Sequence, residues 1–411
     1  MTEQEIVELS PAFREHLRCF QDYLGGRKIQ QHIGTYCRGL LADLPRKSVE
    51  PIALAAGECV RSLQLLLTHH DWDEAGLRDA MQRQVVQRHL CSPPGEGIGT
   101  VGWIDETSVA KKGQKTPGVQ RQYCGASGKV ENCVVSVHLA VGHGSFTCLL
   151  DSDLYVPQSW LEDKDRCKEA GIAPDHPFAS KCQIALRQVR RALGNGVGFD
   201  WMGFDEGYGG KPAFLLGLEE MGVRFIGEVP RTFRCFSAGS TAAKASKACD
   251  LADCGKAFKG RKGKAFTIVH KTVGDSTWVA KAGRVQISVQ GQRHGREYWL
   301  IVASNRQSGE VKYFISNASR RVPLKRMLEA AFSRWGIEHL FRVAKSEIGL
   351  HHYEGRRYRG LKRHMMLCQL VLLFVAEQTE RLRGEKSAGD QGAGGAGVER
   401  SVPVLAAAPK R

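Results

Sequence analysis

The sequence predicts an α/β protein, a mixed sheet flanked by helices with an N-terminal helical domain and a β-rich insertion. Three observations predict it. Up to about residue 92, apolar residues recur at helical spacing. From Thr100, short apolar runs alternate with helical stretches. Between about residues 230 and 318, short alternating strands follow one another, separated by Gly-, Lys- and Arg-rich turns.

Taken in order, residues 1–92 contain PIALAAGECVRSLQLLLTHHDWDEAGLRDAMQRQVVQRHL, with Pro51 suited to a first helical turn. Arg27, Lys28, Arg38, Arg46, Lys47 and Arg61 are interleaved. This region is either a DNA-binding helical domain or a bundle with a solvated basic face. CSPPGEGIG forms a turn-rich boundary. TVGWIDETSV then reads as a short strand with Asp105 near its end, followed by the loop AKKGQKTPG. CVVSVHLAV and SFTCLLDSDLYVP read as a hairpin turning at Gly142–Gly144. Helices are expected over Ser159–Glu169 and KCQIALRQVRRAL. VGFDWMGFDEGYGG is a further strand ending in Asp205, before a helix over Pro212–Met221 and the strand VRFIGEV. Residues 98–229 thus form the first part of the core. The insertion, residues 230–318, holds FTIVHKTV, STWVAKA, RVQISVQ and REYWLIVAS. A long helical region from about Leu324 to Arg381 supplies the closing helices of the core, residues 319–383. The Gly/Ala-rich residues 384–411 read as a disordered tail.

The 411 residues suit two or three compact units. Lys and Arg number 59 against 43 Asp and Glu, a formal charge of +16. Such an excess favours a polyanionic partner, nucleic acid first, although a basic soluble protein without one has the same composition. No apolar signal core opens the chain, and its longest apolar run, near Met365–Ala376, is too short to span a bilayer. A cytoplasmic protein, nucleoid-associated when bound to DNA and with no membrane partner, is expected. The 13 cysteines then read as reduced thiols. Cys235, Cys249, Cys254 and His270 lie too loosely spaced for a convincing zinc site.

Asp105 and Asp205 each follow an apolar run, VGWI and WMGF, and each precedes a loop. A charge beside an apolar strand is costly unless it sits at an end or does a job. Either residue alone is an ordinary strand-end turn residue. Together they are the mount that two-metal phosphoryl chemistry requires, carboxylates converging from rigid elements. Glu106 and Glu206 sit next door, and alternation lets only one of each pair aim at a common site. A third carboxylate comes from AFSRWGIEHLFRVAKSEIGL. With Arg334 at zero, Glu338 falls at about 40° and Lys345 at about 20°, whereas Glu347 falls at about 220°. Arg334, Glu338 and Lys345 therefore share one face. Surface charge pairs would do the same, but Trp335, Ile337, Leu340 and Phe341 flank the stripe.

In these motifs the sequence resembles insertion-sequence transposases of the DDE superfamily. One large branch carries a third motif of Tyr, two residues, Arg, three residues, Glu, six residues, Lys. Here Arg334, Glu338 and Lys345 keep that spacing, and Ala331 stands at the Tyr position with Phe332 beside it. WIDETSVAKKG, GVQRQYCG, LYVPQSW, FDEGYGG and GLHHYEGRRYRG extend the resemblance over roughly residues 30–375. The resemblance implies a ribonuclease H-like catalytic core. It implies two Mg²⁺ ions, with Mn²⁺ as a substitute, held by catalytic Asp105, Asp205 and Glu338. It implies double-stranded DNA as substrate, both transposon ends and target, cut and then joined through a freed 3′-OH by a possible homodimer. Arg334 and Lys345 are implied phosphate contacts near the site.

Other basic residues fit the same reading. Lys111, Lys112 and Lys115 follow Asp105, and Arg320, Arg321, Lys325, Arg326, Arg342, Arg356, Arg357, Arg359, Lys362 and Arg363 cluster around the third motif. Of these, Arg342, Lys111, Lys112, Arg356 and Arg357 are the expected DNA-phosphate contacts beside Arg334 and Lys345. Tyr353 and Tyr358 are placed to stack or to pack. Trp278 and Trp299 in the insertion are expected mainly to pack. A ribonuclease H-like nuclease that does not join, or a non-catalytic DNA-binding relative of a transposase, would carry much of the same pattern.

Overall fold

In the computed structural model, which describes residues 3–91, 97–253, 263–268 and 275–389, the apolar runs become strands of one sheet. Its centre is built from β1 (Val101–Ala110), β2 (Gln120–Cys124), β3 (Lys129–His143), β4 (Phe146–Leu154), β5 (Trp201–Phe204) and β6 (Phe225–Val229). β3 pairs antiparallel with β1 on one side and β4 on the other, while β5 is parallel to β1 and β6 to β5. In the order β4-β3-β1-β5-β6, only β3 runs against the rest. This is the ribonuclease H-like mixed sheet, and helices flank it.

Among the described residues five α-helices precede the sheet: α1 (Glu3–Arg18), α2 (Arg27–Leu41), α3 (Val49–Ala56), α4 (Val60–Thr68) and α5 (Glu74–Val85). The stretch expected as one helix over Ser159–Glu169 splits into α6 (Gln158–Glu162) and α7 (Lys164–Ala170). Asp163 divides them, because its carboxylate accepts from the Arg166 N–H and caps the second helix. Next come α8 (Lys181–Gly194), opened by a Ser180–Gln183 capping box, α9 (Glu206–Gly209) and α10 (Pro212–Glu220).

The insertion adds β7 (Arg234–Ser237), β8 (Ser246–Lys247), α11 (Ala248–Asp253), β9 (Lys264–Ile268), β10 (Ser276–Val289), β11 (Gln292–Arg293), β12 (Tyr298–Asn305) and β13 (Val311–Ser316). STWVAKA and RVQISVQ, expected as separate strands, are one strand, β10, because β12 pairs with it continuously from Trp278 to Val285. β13 pairs with β6, so these strands extend the central sheet and cover its open edge. Trp278 is buried against Phe332, and Trp299 lies under the Arg284 guanidinium.

The expected long helical region from Leu324 is made of α12 (Leu324–Phe332), α13 (Trp335–Ser346) and α14 (Tyr358–Gly389). Gly349, at φ +82°, turns the chain between the last two. The apolar run of α14 is a core helix: Met365–Phe374 is buried and packs against α2, α4, α5 and β4. Apolar side chains of the N-terminal helices, the sheet and α14 make one continuous core. Two cations read from sequence as surface charges lie inside it. Arg363 is fully buried and donates to the carbonyls of Leu66, His70 and Trp72. Lys47 donates to the carbonyls of Leu40 and Glu347. No helix among the described residues is long and apolar enough to cross a membrane. Cys254, His270 and most of the expected tail (390–411) lie outside the described residues; Cys235 is buried, which pushes its thiol up to about 12.

Candidate active site

The parallel register of β1 and β5 ends at Ile104 and Phe204. The next residue on each chain is Asp105 and Asp205, so the two aspartates stand side by side where β5 stops. β1 does not stop there. It continues to Ala110 because β3 goes on pairing with it, which places Asp105 in mid-strand rather than near the strand end. β5 is the strand that ends there.

Alternation settles which neighbour faces the site. Trp103 and Asp105 face the α12–α13 side, where the Trp103 indole donates to Ser333 Oγ at 3.2 Å. Glu106 faces α8 and meets the Lys181 ammonium at 2.8 Å. Across the sheet Asp105 is paired with His138, whose ring nitrogens meet the hydroxyls of Ser136 (2.7 Å) and Ser152 (2.6 Å). That buried network ties β3 to β4 beneath the site, and burial pushes the His138 imidazole down to about 3, so it stays neutral. Asp205 caps α9, accepting from the N–H groups of Gly207 (3.0 Å) and Tyr208 (3.3 Å). The turn lies so close to β6 that a Cβ on Gly209 would sit 2.0 Å from the Glu228 carbonyl oxygen. The Tyr208 hydroxyl is buried with no hydrogen-bond partner among the described residues.

The helical break after Phe332 leaves Arg334 at the N-cap of α13. One arm of its guanidinium meets Asp105 Oδ2 at 2.9 Å and the other meets Glu338 Oε1 at 2.9 Å. Arg334 thus bridges two elements 229 residues apart in sequence. The side chain of Asp105 is 14% exposed and that of Glu338 48%, so the ion pair runs from the interior out to solvent. Burial pushes the Asp105 carboxyl up to about 7; Arg334 opposes the shift, while Asp205 and Glu338 add to it. Burial also lowers the Lys345 ammonium, which lies 5.3 Å from the Phe341 ring.

An open cleft of ≈ 500 Å³ begins at Asp105. Its floor is β1 from Asp105 to Ser108. One wall is α13, with Glu338, Phe341, Arg342, Lys345 and Ser346, and the other is the β2–β3 turn at Gly125 and Ala126. Arg342 and Lys345 therefore line it, and Arg334 lies beneath as an ion-pair partner. Lys111 is tied down, donating to the Tyr353 carbonyl at 2.9 Å. Lys112, Arg356 and Arg357 are exposed and lie off the cleft lining. Glu347 is exposed at the far end of α13, with its carboxylate on Ser346 Oγ. Among the described residues no three His, Cys, Asp or Glu side chains form a ready-made metal cage. The Arg334 guanidinium stands between Asp105 and Glu338, and Asp205 is turned to its cap. The turn Gly125–Ala126 was not singled out from sequence, although the Gly-rich stretch CGASGK between alternating residues is a hairpin signal.

Comparison with known proteins bears on this geometry. Residues 19–289 match the family model of DDE superfamily endonucleases, a span that includes Asp105 and Asp205 and stops before Glu338. A probable transposase for insertion sequence element IS701 from Microchaete diplosiphon is 29% identical over 191 residues, 46% of this chain and 46% of that protein. The match therefore spans less than half of that relative. The NurA nuclease from Sulfolobus solfataricus aligns with 61% of this chain and 84% of its own at 10% identity and a TM-score of 0.26, a superposition too loose to carry an inference. With the family model spanning more than half of its length, this chain belongs to the DDE superfamily endonucleases.

Proposed function

We propose that the protein is a transposase that cuts DNA at transposon ends and joins the freed 3′-OH to target DNA, using Asp105, Asp205 and Glu338 as ligands for two Mg²⁺ or Mn²⁺ ions. The observation that carries the reading is the pair of aspartates side by side where β5 ends, with Asp105 linked to Glu338 through Arg334.

The donor set suits a hard divalent cation, since all three are carboxylates. The strained charge balance suits it as well. A buried carboxyl held up at about 7 is short of positive charge, and the cation that pairs with it among the described residues, Arg334, is shared with Glu338. When bound, the ions supply Lewis-acid stabilisation of the attacking and leaving oxygens at phosphorus. The rest falls to the chain. β1 and β3 fix Asp105 through continuous pairing, and the His138 network stiffens that support. Arg334 holds Glu338 against Asp105 until a substrate phosphate offers its guanidinium another anion. Arg342 and Lys345 attract the backbone into the cleft. Pairing of two ends requires a second copy, so a homodimeric DNA complex, nucleoid-associated in the cell, is part of the proposal.

The test is incubation of DNA carrying the element's own ends with and without Mg²⁺, followed by a strand-transfer assay with labelled 3′-OH ends. Metal-dependent nicks at the ends and a joined product are expected. Cutting without any joined product would leave a nuclease, and no cutting under any divalent metal would overturn the catalytic reading.

A further inference from the structure

We propose that the β2–β3 hairpin is a DNA-binding arm, seating the segment that leaves the cleft against Tyr123 and Val130 with Arg121 and Lys112 on its phosphates. The inference rests on DNA being the substrate and adds a surface to that reading.

The arm is built into the cleft. Gly125 and Ala126 at its turn line the wall opposite α13, and the Ala126 N–H donates to Ser108 Oγ at 3.2 Å. Its inner side is fastened by a small apolar cluster of Cys124, Cys133 and Val135 with Tyr155 against it. Its outer side has no such cover. Tyr123 and Val130 are cross-strand partners, 59% and 54% exposed. They are two of five large apolar side chains left exposed among the described residues, and the only two that pair across a ladder. Isolated exposed apolar residues need no explanation, whereas a cross-strand pair on the hairpin whose turn lines a charged cleft does.

Register identifies the side on which the patch lies. β3 alternates without a break from His138, the partner of Asp105, to Asn132 and Val130. Arg121 and Tyr123 are the partners of Asn132 and Val130. The four therefore lie on the Asp105 side of the sheet. Asn132 also holds the next loop, donating to the carbonyls of Lys111 (2.6 Å) and Gly113 (2.9 Å). Exposed Lys112 is thereby carried on a loop fastened to Asn132, the cross-strand partner of exposed Arg121. Nearby Glu131 lies on the opposite side by alternation and is taken up by Ser127 Oγ. An aromatic and an aliphatic surface with Arg121 on the same face and Lys112 on the adjoining loop, on the hairpin whose turn lines a cleft with Arg342 and Lys345 on its other wall, matches a nucleic-acid strand: apolar contact for base or sugar, cations for phosphate.

The experiment is fluorescence anisotropy with a labelled duplex carrying the element's own end, over a salt series. Every position is exposed, so folding is checked simply by an unchanged melting temperature. Tyr123→Ala is expected to weaken binding on the order of tenfold and Tyr123→Phe to restore it. Arg121→Ala is expected to lower the log–log salt slope by about 1. Wild-type affinity in Tyr123→Ala together with a wild-type slope in Arg121→Ala would overturn the arm, as would a changed oligomeric state with affinity intact. If the wild-type protein itself does not bind the duplex, the DNA reading fails, and the arm with it.

Discussion

Asp105 and Asp151 are both aspartates in an apolar sheet, both pushed up by burial and both met by arginine, yet they are closed off differently. Asp151, on β4, is fully buried. It is held by Arg191 from α8, by Arg78 from α5 at 3.7 Å and by the Ser152 N–H at 2.9 Å. Every side of it is filled, and it ties the N-terminal helices to the sheet. Asp105 has one arginine, and that arginine is shared with a half-exposed glutamate on the lip of a cleft. A buried charge closed on all sides serves the fold. One whose counter-charge leads to solvent is available for exchange with a ligand.

The strongest way to break this comparison is catalytic. Asp105→Asn, Asp205→Asn and Glu338→Gln are each expected to reduce end cleavage at least about a thousandfold, the loss of roughly 4 kcal/mol of transition-state stabilisation. DNA affinity should stay within about threefold, because it resides in the phosphate contacts. Gel assays of cleavage and binding on one preparation separate the two. Full cleavage by Glu338→Gln would transfer the role to Glu347.

The next effect is on stability and has opposite signs at the two aspartates. Asp151→Ala strands Arg78 and Arg191 and is expected to cost about 3 kcal/mol in urea unfolding. For Asp105 the folded carboxyl sits at about 7, above its unfolded value. The folded state therefore holds the proton more tightly, and its stability falls as pH rises from the unfolded value through 7. Above pH 7, metal-free Asp105→Asn should thus match or exceed the wild type, by on the order of 1 kcal/mol. A destabilised Asp105→Asn at pH 8 would show that the Arg334 pair is structural after all.

The metal role proposed for the same carboxyl predicts a pH dependence. Below about pH 7 a proton competes for Asp105, so apparent Mg²⁺ affinity should fall about tenfold per pH unit. Calorimetric titration of the DNA-free protein between pH 5.5 and 8 would measure it, over a window chosen to bracket that value at roughly one unit either side. A flat profile would mean that no proton competes with the metal at Asp105 in this range.

How much of this was legible in the sequence depends on the range of the interaction. Asp105 and Asp205 stand out because an apolar run delivers each, and Glu338 because four residues of helix bring it to Arg334, where the ion pair forms at 2.9 Å. These are local facts. That Arg334 also reaches Asp105 is not local, nor is the continuation of β1 past Asp105, which depends on β3. The insertion strands gave their alternation away but not their pairing with β6. The hairpin arm was quoted only within a motif, since its meaning lies in what it faces.

Arginines carry the comparison to its smallest expected effect. Arg342 and Arg363 both belong to the basic run around the third motif, from which the sequence singled out Arg342 as a phosphate contact without showing that Arg363 is buried. Arg363 is walled in by carbonyls and Glu74, as Asp151 is by its arginines. Arg342 is exposed on the cleft wall, and among the described residues its guanidinium meets the His339 ring at 2.9 Å. Arg342→Ala should leave the melting temperature unchanged and lower the log–log salt slope of DNA binding by about 1, with a few-fold loss of affinity at moderate salt. If the slope is unchanged, backbone phosphates do not pass along α13, and the DNA must approach Asp105 from the Asp205 side, where β5 ends.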